Sequence, residues 1–312
     1  MARYSFRNKM MEKLNLSNGA DAASVRESSL NTINARKGND RITVISGMCI
    51  NNKIYGGDGD DVITINRNAL AHDTIIRGGN GRDTLRVSGL QNSVRIYGDA
   101  GNDTIIVTGK YKTNSGETYE VYSLAGEYVI SGGDGSDSIT INGGEGFTVS
   151  GGVGNDRITV NSGSNHIVRG GDGNDRITSK DITTLSSGGD NLFDGGRGND
   201  TITVYNNSAT VKGGPGSDVI SIRGGNVHDI YTGSGRDTLA FFSTFTGSVC
   251  KVYDYGAGDI FKFTRGGYQG YEISGSDAIV SLSRGGKITI LGGEGKTLKY
   301  KVNDVLHSVK LI

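Results

Sequence analysis

The chain predicts an all-β fold: a two-stranded solenoid of about ten coils closed by a β-rich C-terminal cap. Three observations predict it. A Gly-Gly-x-Gly-x-Asp phrase recurs along most of the 312 residues, as at Gly170-Gly171-Asp172-Gly173-Asn174-Asp175. Each copy runs into an apolar–polar alternation such as Ile158-Thr159-Val160, the period of a strand with one face inside. The turn-closing aspartates Asp40, Asp61, Asp83, Asp103, Asp137, Asp156, Asp175, Asp200, Asp218 and Asp237 lie 21, 22, 20, 34, 19, 19, 25, 18 and 19 residues apart. The shorter spacings suit one coil of strand, turn, strand and turn, stacked about 4.8 Å from the next.

The turn itself points to a metal. Two leading glycines and a third two residues later tolerate positive φ, so the backbone can aim several carbonyl oxygens at one centre. The closing Asp adds a carboxylate. Hard oxygen donors on a flexible loop are what Ca²⁺ prefers, with six to eight ligands, whereas Zn²⁺ would call for His or Cys. No single turn supplies that many oxygens, so the ion is expected between two stacked turns. Midway between full turns lies a weaker echo: Asn165 follows Asp156 by nine residues and precedes the apolar Ile167. Asp73 before Ile75 and Asn52 before Ile54 repeat it, as do Ala209 before Val211 and Phe147 before Val149. The true period is therefore near nine, with ions expected along one edge and few or none along the other.

In chain order, residues 1–29 read as a polar leader that caps the first coil, with a short helix through Lys9–Leu14. The roll occupies residues 30–242. Its two long intervals, Lys110–Gly126 (with Tyr111, Tyr119 and Tyr122) and Lys180–Gly189, predict loops projecting from the solenoid. Residues 243–312 change character. Phe241, Phe242, Phe245, Phe261 and Phe263 gather in or beside this region. Short alternating runs at Ile279–Leu282, Ile288–Ile290 and Leu298–Lys301 predict the cap that hides the last coil.

Composition limits the alternatives. There are 52 Gly but only 1 Pro and no triplet period, which excludes collagen. Recurring inward Ile and Val argue against disorder. Burial per residue is low, so stacking and metal must offset the ordering entropy of so much glycine, and a much less ordered chain is expected without Ca²⁺. Cys49 and Cys250 are separated by roughly nine coils at about 4.8 Å each, beyond the reach of a disulfide. The N-terminus lacks the apolar run of a secretory signal, and no transmembrane span or nucleic-acid partner is expected.

The repeats resemble the RTX, or hemolysin-type calcium-binding, nonapeptide Gly-Gly-x-Gly-x-Asp-x-apolar-x, in register from about Lys37 to Asp237. The resemblance implies a parallel β-roll and several Ca²⁺ ions. It implies ligands from the turn backbone and the closing Asp61, Asp83, Asp103, Asp137, Asp156, Asp175, Asp200, Asp218 and Asp237. The turn positions entering the expected ligand set are Gly56, Asp58, Gly78, Asn80, Gly132, Asp134, Gly151, Gly170, Asp172, Gly195 and Gly213. Tyr253-Asp254-Tyr255-Gly256-Ala257-Gly258-Asp259-Ile260-Phe261 resembles the closing segment of RTX domains. The resemblance also implies an extracellular protein exported by type I secretion machinery, with an uncleaved signal near Asn303–Ile312. Some turns depart from the pattern. Asp40 follows Arg36-Lys37-Gly38-Asn39, Asp103 lacks a second Gly, and Arg82, Arg197 and Arg236 sit within turns that should attract a cation. The formal net charge of zero implies weaker repulsion in the metal-free chain than in acidic relatives.

Catalytic motifs are missing from the sequence. His72, His166, His228 and His307 form no His-Glu-x-x-His, and there is no Gly-x-Ser-x-Gly elbow or phosphate loop. The expected role is non-enzymatic: structural or adhesive, with a cell-surface or glycan partner met by the insertion or the cap. The alternative is a polysaccharide-modifying enzyme of lyase or epimerase type, or its carbohydrate-binding module. The third turn position runs Asp58, Asn80, Ala100, Asp134, Val153, Asp172, Arg197, Pro215, Ser234, too irregular a row to match an ice lattice.

Overall fold

The computed structural model describes the chain except residues 1, 8–9, 12, 27–28, 31, 47–48, 51, 67–70, 89, 91–92, 113–117, 121–126, 181–190, 206–207, 225–226, 243–248, 264–267, 283–284 and 303. It is an all-β parallel solenoid, with no helix among the described residues. The chain divides into two units, Met1–Ile167 and Val168–Ile312.

In the first unit one sheet runs through Ala2–Arg7, Asp21–Arg26, Arg41–Ser46, Val62–Ile65, Thr84–Ser88, Thr104–Thr108, Ser138–Glu145 and Arg157–Ser164. The facing sheet runs through Leu14–Asn15, Thr32–Asn34, Lys53–Asp58, Thr74–Asn80, Val94–Ala100, Tyr128–Asp134 and Phe147–Val153. Register follows the repeat, so like residues stack. Ile42, Ile63, Leu85, Ile105, Ile139 and Ile158 form one inner column, and Ile33, Ile54, Ile76, Ile96, Ile130 and Val149 face it. All are buried. β-Branched side chains fit this pleated stack, and alternation sends their neighbours outward.

The N-terminal segment corrects one expectation. Leu14–Asn15 is a strand paired in parallel with Ile33–Asn34, so the helix through Lys9–Leu14 does not form. Leu14 and Leu16 are both buried two residues apart, the period of a strand and not of a helix. The parallel ladder already starts at Ala2–Arg7, which pairs with Asp21–Arg26. Within the long interval after Asp103, Lys110–Lys112 and Thr118–Glu120 form an antiparallel hairpin. Residues 181–190, which include most of the second interval, lie outside the described residues, as does Phe245.

In the second unit one sheet takes Arg176–Ser179, Thr201–Val204, Val219–Ile222, Thr238–Phe241, Ile260–Phe263 and Thr297–Val302 in order, with Val305–Lys310 antiparallel at its edge. The other takes Asn191–Arg197, Ala209–Gly216, Val227–Gly235, Val249–Val252 and Lys287–Ile290. Asp277–Leu282 and Tyr268–Ser274 then finish it antiparallel. Antiparallel pairing thus replaces the coil at the C-terminal end. Phe241, Phe261, Phe263 and Tyr255 pack there as rings with centroids 5.1–6.2 Å apart.

Candidate metal centre

The repeated turns stack into a column of carboxylates. The closing Asp of each turn is 0–2% exposed, and within each unit the main-chain N–H of one Asp donates to Oδ1 of the next. In the first unit this runs from Asp21 to Asp40 at 2.6 Å. It continues through Asp61, Asp83, Asp103, Asp137 and Asp156 at 2.7 Å per step. In the second it runs from Asp175 through Asp200 (2.7 Å), Asp218 (2.7 Å) and Asp237 (2.8 Å) to Asp259 (3.1 Å). The 34-residue step from Asp103 to Asp137 has the same geometry as the short ones, so the insertion leaves the column intact.

Only Oδ1 is used this way. Oδ2 of Asp40, Asp61, Asp83, Asp103, Asp137, Asp200, Asp218 and Asp237 is buried and receives no hydrogen bond. A buried carboxylate oxygen without a donor is strongly unfavourable unless a proton or a cation supplies the missing charge. For Asp61, Asp83, Asp103, Asp137, Asp200 and Asp218 the surroundings add a second oxygen. A Cβ on Gly56 would strike both Asp61 Oδ2 and the Gly78 carbonyl. One on Gly132 would strike Asp137 Oδ2 and the Gly151 carbonyl; one on Gly195, Asp200 Oδ2 and the Gly213 carbonyl. Carboxylate of one turn and carbonyl of the next therefore converge on one place, and only a first-position glycine leaves it open.

Electrostatics follow from the burial. Desolvation, and then the neighbouring carboxylates, push Asp61, Asp83, Asp137 and Asp218 up to about 7 and Asp40, Asp103 and Asp237 to about 6, against the opposing main-chain hydrogen bond. Burial raises Asp156 and Asp200 as well.

A second side-chain ladder runs beside the first with opposite polarity. The fifth turn residue accepts from the main-chain N–H one coil further on. Asp60 N donates to Asn39 Oδ1 (3.0 Å), Arg82 N to Asp60 Oδ1 (2.8 Å) and Ser136 N to Asn102 Oδ1 (2.7 Å). In the second unit Asn199 N donates to Asn174 Oδ1 and Ser217 N to Asn199 Oδ1, both at 2.7 Å. Adjacent turn residues thus bind the coils on either side. The irregular turns keep this shape: Arg36 and Asp99, standing where other turns have the second Gly, adopt φ of 76° and 77°.

The third-position side chains stand apart. Asp58, Asn80, Asp134 and Asp172 are exposed. Asp58 meets Lys37 at 3.3 Å and accepts from Asn80 Nδ2 at 2.9 Å. Their main-chain carbonyls serve instead, as where Gly59 N donates to Asn80 O and Gly101 N to Asp134 O. Arg82, Arg197 and Arg236 are exposed too, outside the oxygen cradle. Among the described residues no three His, Cys, Asp or Glu side chains converge; the oxygens that meet at the first-position glycines are one carboxylate and a main-chain carbonyl. Such an all-oxygen set fits Ca²⁺ and not a nitrogen- or sulfur-seeking metal.

The opposite edge differs. Its inner column reads Asn52, Thr74, Val94, Tyr128, Phe147 and His166 in the first unit and Asn191, Ala209, His228 and Cys250 in the second, all buried and none a carboxylate. His166 Nδ1 accepts from Phe147 N at 3.2 Å, a neutral version of the aspartate ladder, and burial pushes the imidazole down to about 4.

Two ladder members, Asp21 and Asp259, are not among the expected turn-closing aspartates. Asp21 Oδ2 accepts from Ser17 N and Ser17 Oγ, both at 2.7 Å, and Oδ1 from Ala2 N at 3.0 Å. Asp259 Oδ2 accepts from Gly256 N (2.7 Å) and Thr232 Oγ1 (3.2 Å). Asp254 accepts from Thr232 N (2.6 Å) and Gly233 N (3.0 Å) beside it. These end carboxylates are satisfied by protein alone. Spacing carried the signal, since Asp21 precedes Asp40 by 19 residues and Asp259 follows Asp237 by 22, but neither turn has the double glycine.

A parallel β-roll whose coils meet at a column of half-satisfied carboxylates defines a calcium-clamped solenoid. The family model of the RTX calcium-binding nonapeptide repeat matches in four copies, at residues 51–64, 86–107, 150–180 and 186–226, and the chain carries RTX repeats. The chain is similar in structure to a hyperactive, Ca²⁺-dependent, β-helical antifreeze protein from an Antarctic bacterium. The TM-score is 0.52 at 18% identity, over 81% of this chain and 83% of that one. At that identity the likeness concerns the fold. No curated protein matches the chain.

Proposed function

We infer that this chain is an extracellular module that Ca²⁺ stiffens for a structural or adhesive role, without catalysis of its own. The observation that carries the reading is the series of buried Oδ2 atoms facing the carbonyl of the next turn. Bound there, Ca²⁺ supplies positive charge between turns that would otherwise oppose oxygen to oxygen. The chain's part is to hold the oxygens in place. First-position glycines such as Gly56, Gly78, Gly132, Gly170, Gly195 and Gly213 keep the space open, and the closing aspartates supply charge. The two opposed side-chain ladders tie each turn to its neighbours. Third-position residues contribute main chain, not side chain.

Export fits this chemistry, because a fold that needs several weak Ca²⁺ sites is best completed where the ion is abundant. No helix of the described residues is long and apolar enough to cross a membrane. The reading takes type I secretion machinery as the route and a cell-surface or glycan structure as the partner. Circular dichroism with and without Ca²⁺, followed by calorimetric titration, tests the metal part. Identical spectra with no bound ion would sink it. A glycan array probed with the calcium-loaded chain tests adhesion, and an empty array would remove that half of the reading.

A further inference from the structure

The cap of the second unit contains a cavity of about 450 Å³ lined by Tyr255, Gly256, Ala257, Lys296, Thr297 and Lys299. It adjoins the end of the carboxylate ladder, where Asp259 is already satisfied by Gly256 N and Thr232 Oγ1. Its size lies within the range of small-ligand clefts, about 300–1,000 Å³. Two ammonium groups are fixed at its wall. Lys296 Nζ donates to the Tyr255 carbonyl at 3.1 Å and Lys299 Nζ to the Ala257 carbonyl at 2.7 Å. Each ammonium has three donors, so each keeps two to spare. Neither pairs with a carboxylate among the described residues.

The rest of the wall carries no charged side chain. Tyr255 is 3% exposed, stacks on Phe261 with 5.1 Å between centroids, and receives Lys299 N on its hydroxyl at 2.9 Å. Gly256 and Ala257 leave the space empty because neither carries a long side chain. Thr297 adds a hydroxyl. A ligand that fits has an anionic group for the two ammoniums and an uncharged ring to fill the remaining volume. A bare inorganic anion would satisfy the charge and leave the cavity empty.

We propose that this cavity binds the carboxylate-bearing ring of an acidic sugar. It rests on the adhesive reading for its biological setting but not for its chemistry. The test is calorimetric titration of the calcium-loaded full chain with digalacturonate, with its neutral methyl ester and with inorganic phosphate. Digalacturonate is expected to bind, and the ester to bind about tenfold more weakly or not at all. Lys296→Gln and Lys299→Gln should each weaken digalacturonate about tenfold, and the double variant about a hundredfold, with circular dichroism and Ca²⁺ stoichiometry unchanged. Lys212→Gln, outside the cavity, should leave binding as it is. If the double variant does not fold, Ala257→Phe, which fills the space at an exposed position, must abolish binding with both lysines intact.

Absence of binding overturns the proposal, as does equal binding of acid and ester or of acid and phosphate. Unchanged binding by the double variant or by Ala257→Phe overturns it too. The two readings fail separately. A glycan array that stays positive with the double variant rejects the cavity and keeps adhesion. Lysine-dependent digalacturonate binding beside an empty array keeps the cavity and rejects adhesion.

Discussion

At the scale of single residues, the two oxygens of one aspartate have different tasks. Oδ1 of Asp137 accepts from Asp103 N, and Oδ2 lies buried against the carbonyl of Gly151. Asn keeps the first contact and removes the charge. Asp137→Asn should therefore lower the number of Ca²⁺ ions bound in a calorimetric titration without lowering the metal-free melting temperature. Asp137→Ala removes both contacts and should destabilise the metal-free chain as well, by about 1–3 kcal/mol. Asp259→Asn is the control, since Asp259 already receives three protein donors and its substitution should leave ion stoichiometry alone. Glycine has a matching test. Gly195→Ala places a methyl group against Asp200 Oδ2 and the Gly213 carbonyl, so it should weaken Ca²⁺ binding and folding together. A titration that finds wild-type affinity would show that the cradle lies elsewhere.

At the scale of the turn and strand, the two edges of the coil respond oppositely to pH. Without Ca²⁺, Asp40, Asp61, Asp83 and Asp137 sit at about 6 to 7, above their unfolded value of 3.8. A raised pKa stabilises the fold below the unfolded value, and that stability is lost as pH rises through about 7. His166 has its pKa lowered to about 4 from 6.5, so its contribution is intact above 6.5 and is lost as pH falls toward 4. The metal-free chain should thus melt higher at pH 5 than at pH 8. Ca²⁺ should reverse the order, because it stabilises the ionised ladder. His166→Asn, which retains an acceptor for Phe147 N, should flatten the acid limb only. Thermal melts across pH in chelator and in Ca²⁺ check all three statements.

Much of this element was legible in the sequence, because the turn chemistry is local: glycine positions, the closing Asp and the alternation after it all act within nine residues. What depended on contacts between coils was not. The opposed ladder of Asn39, Asp60 and Asn102 joins residues 21 to 34 apart, and nothing in one turn announces it. The outward stance of Asp58 and Asp134 was hidden for the same reason. Leu14 and Leu16 were masked by a polar stretch too short to establish a period, so a strand read as a helix.

At the scale of the whole molecule, each unit carries a ladder that is differentiated along its length. Its inner members expose a buried oxygen to the next turn, whereas Asp21 and Asp259, one in each unit, are closed by protein donors. The ends therefore need no ion, and stability that comes from Ca²⁺ is confined to the coils inward of them. Removing Ca²⁺ withdraws charge compensation from several neighbouring carboxylates at once. Stacked repeats share interfaces, so loosening should spread from coil to coil rather than stay at one site. Hydrogen exchange can resolve this by residue. In chelator, the amides of Asp61, Asp83, Asp103, Asp200 and Asp218 should lose most of their protection. Ser17 and Gly256, whose N–H groups are held by Asp21 and Asp259, should keep far more of theirs. Aromatic packing around Phe261 and Phe263 supports the second of these without any ion. Uniform loss along the chain would mean that the ends depend on Ca²⁺ as much as the middle. Undiminished protection everywhere would mean that protons alone satisfy the ladder, and raising the pH from 5 to 8 in chelator should then produce the loss that chelation did not.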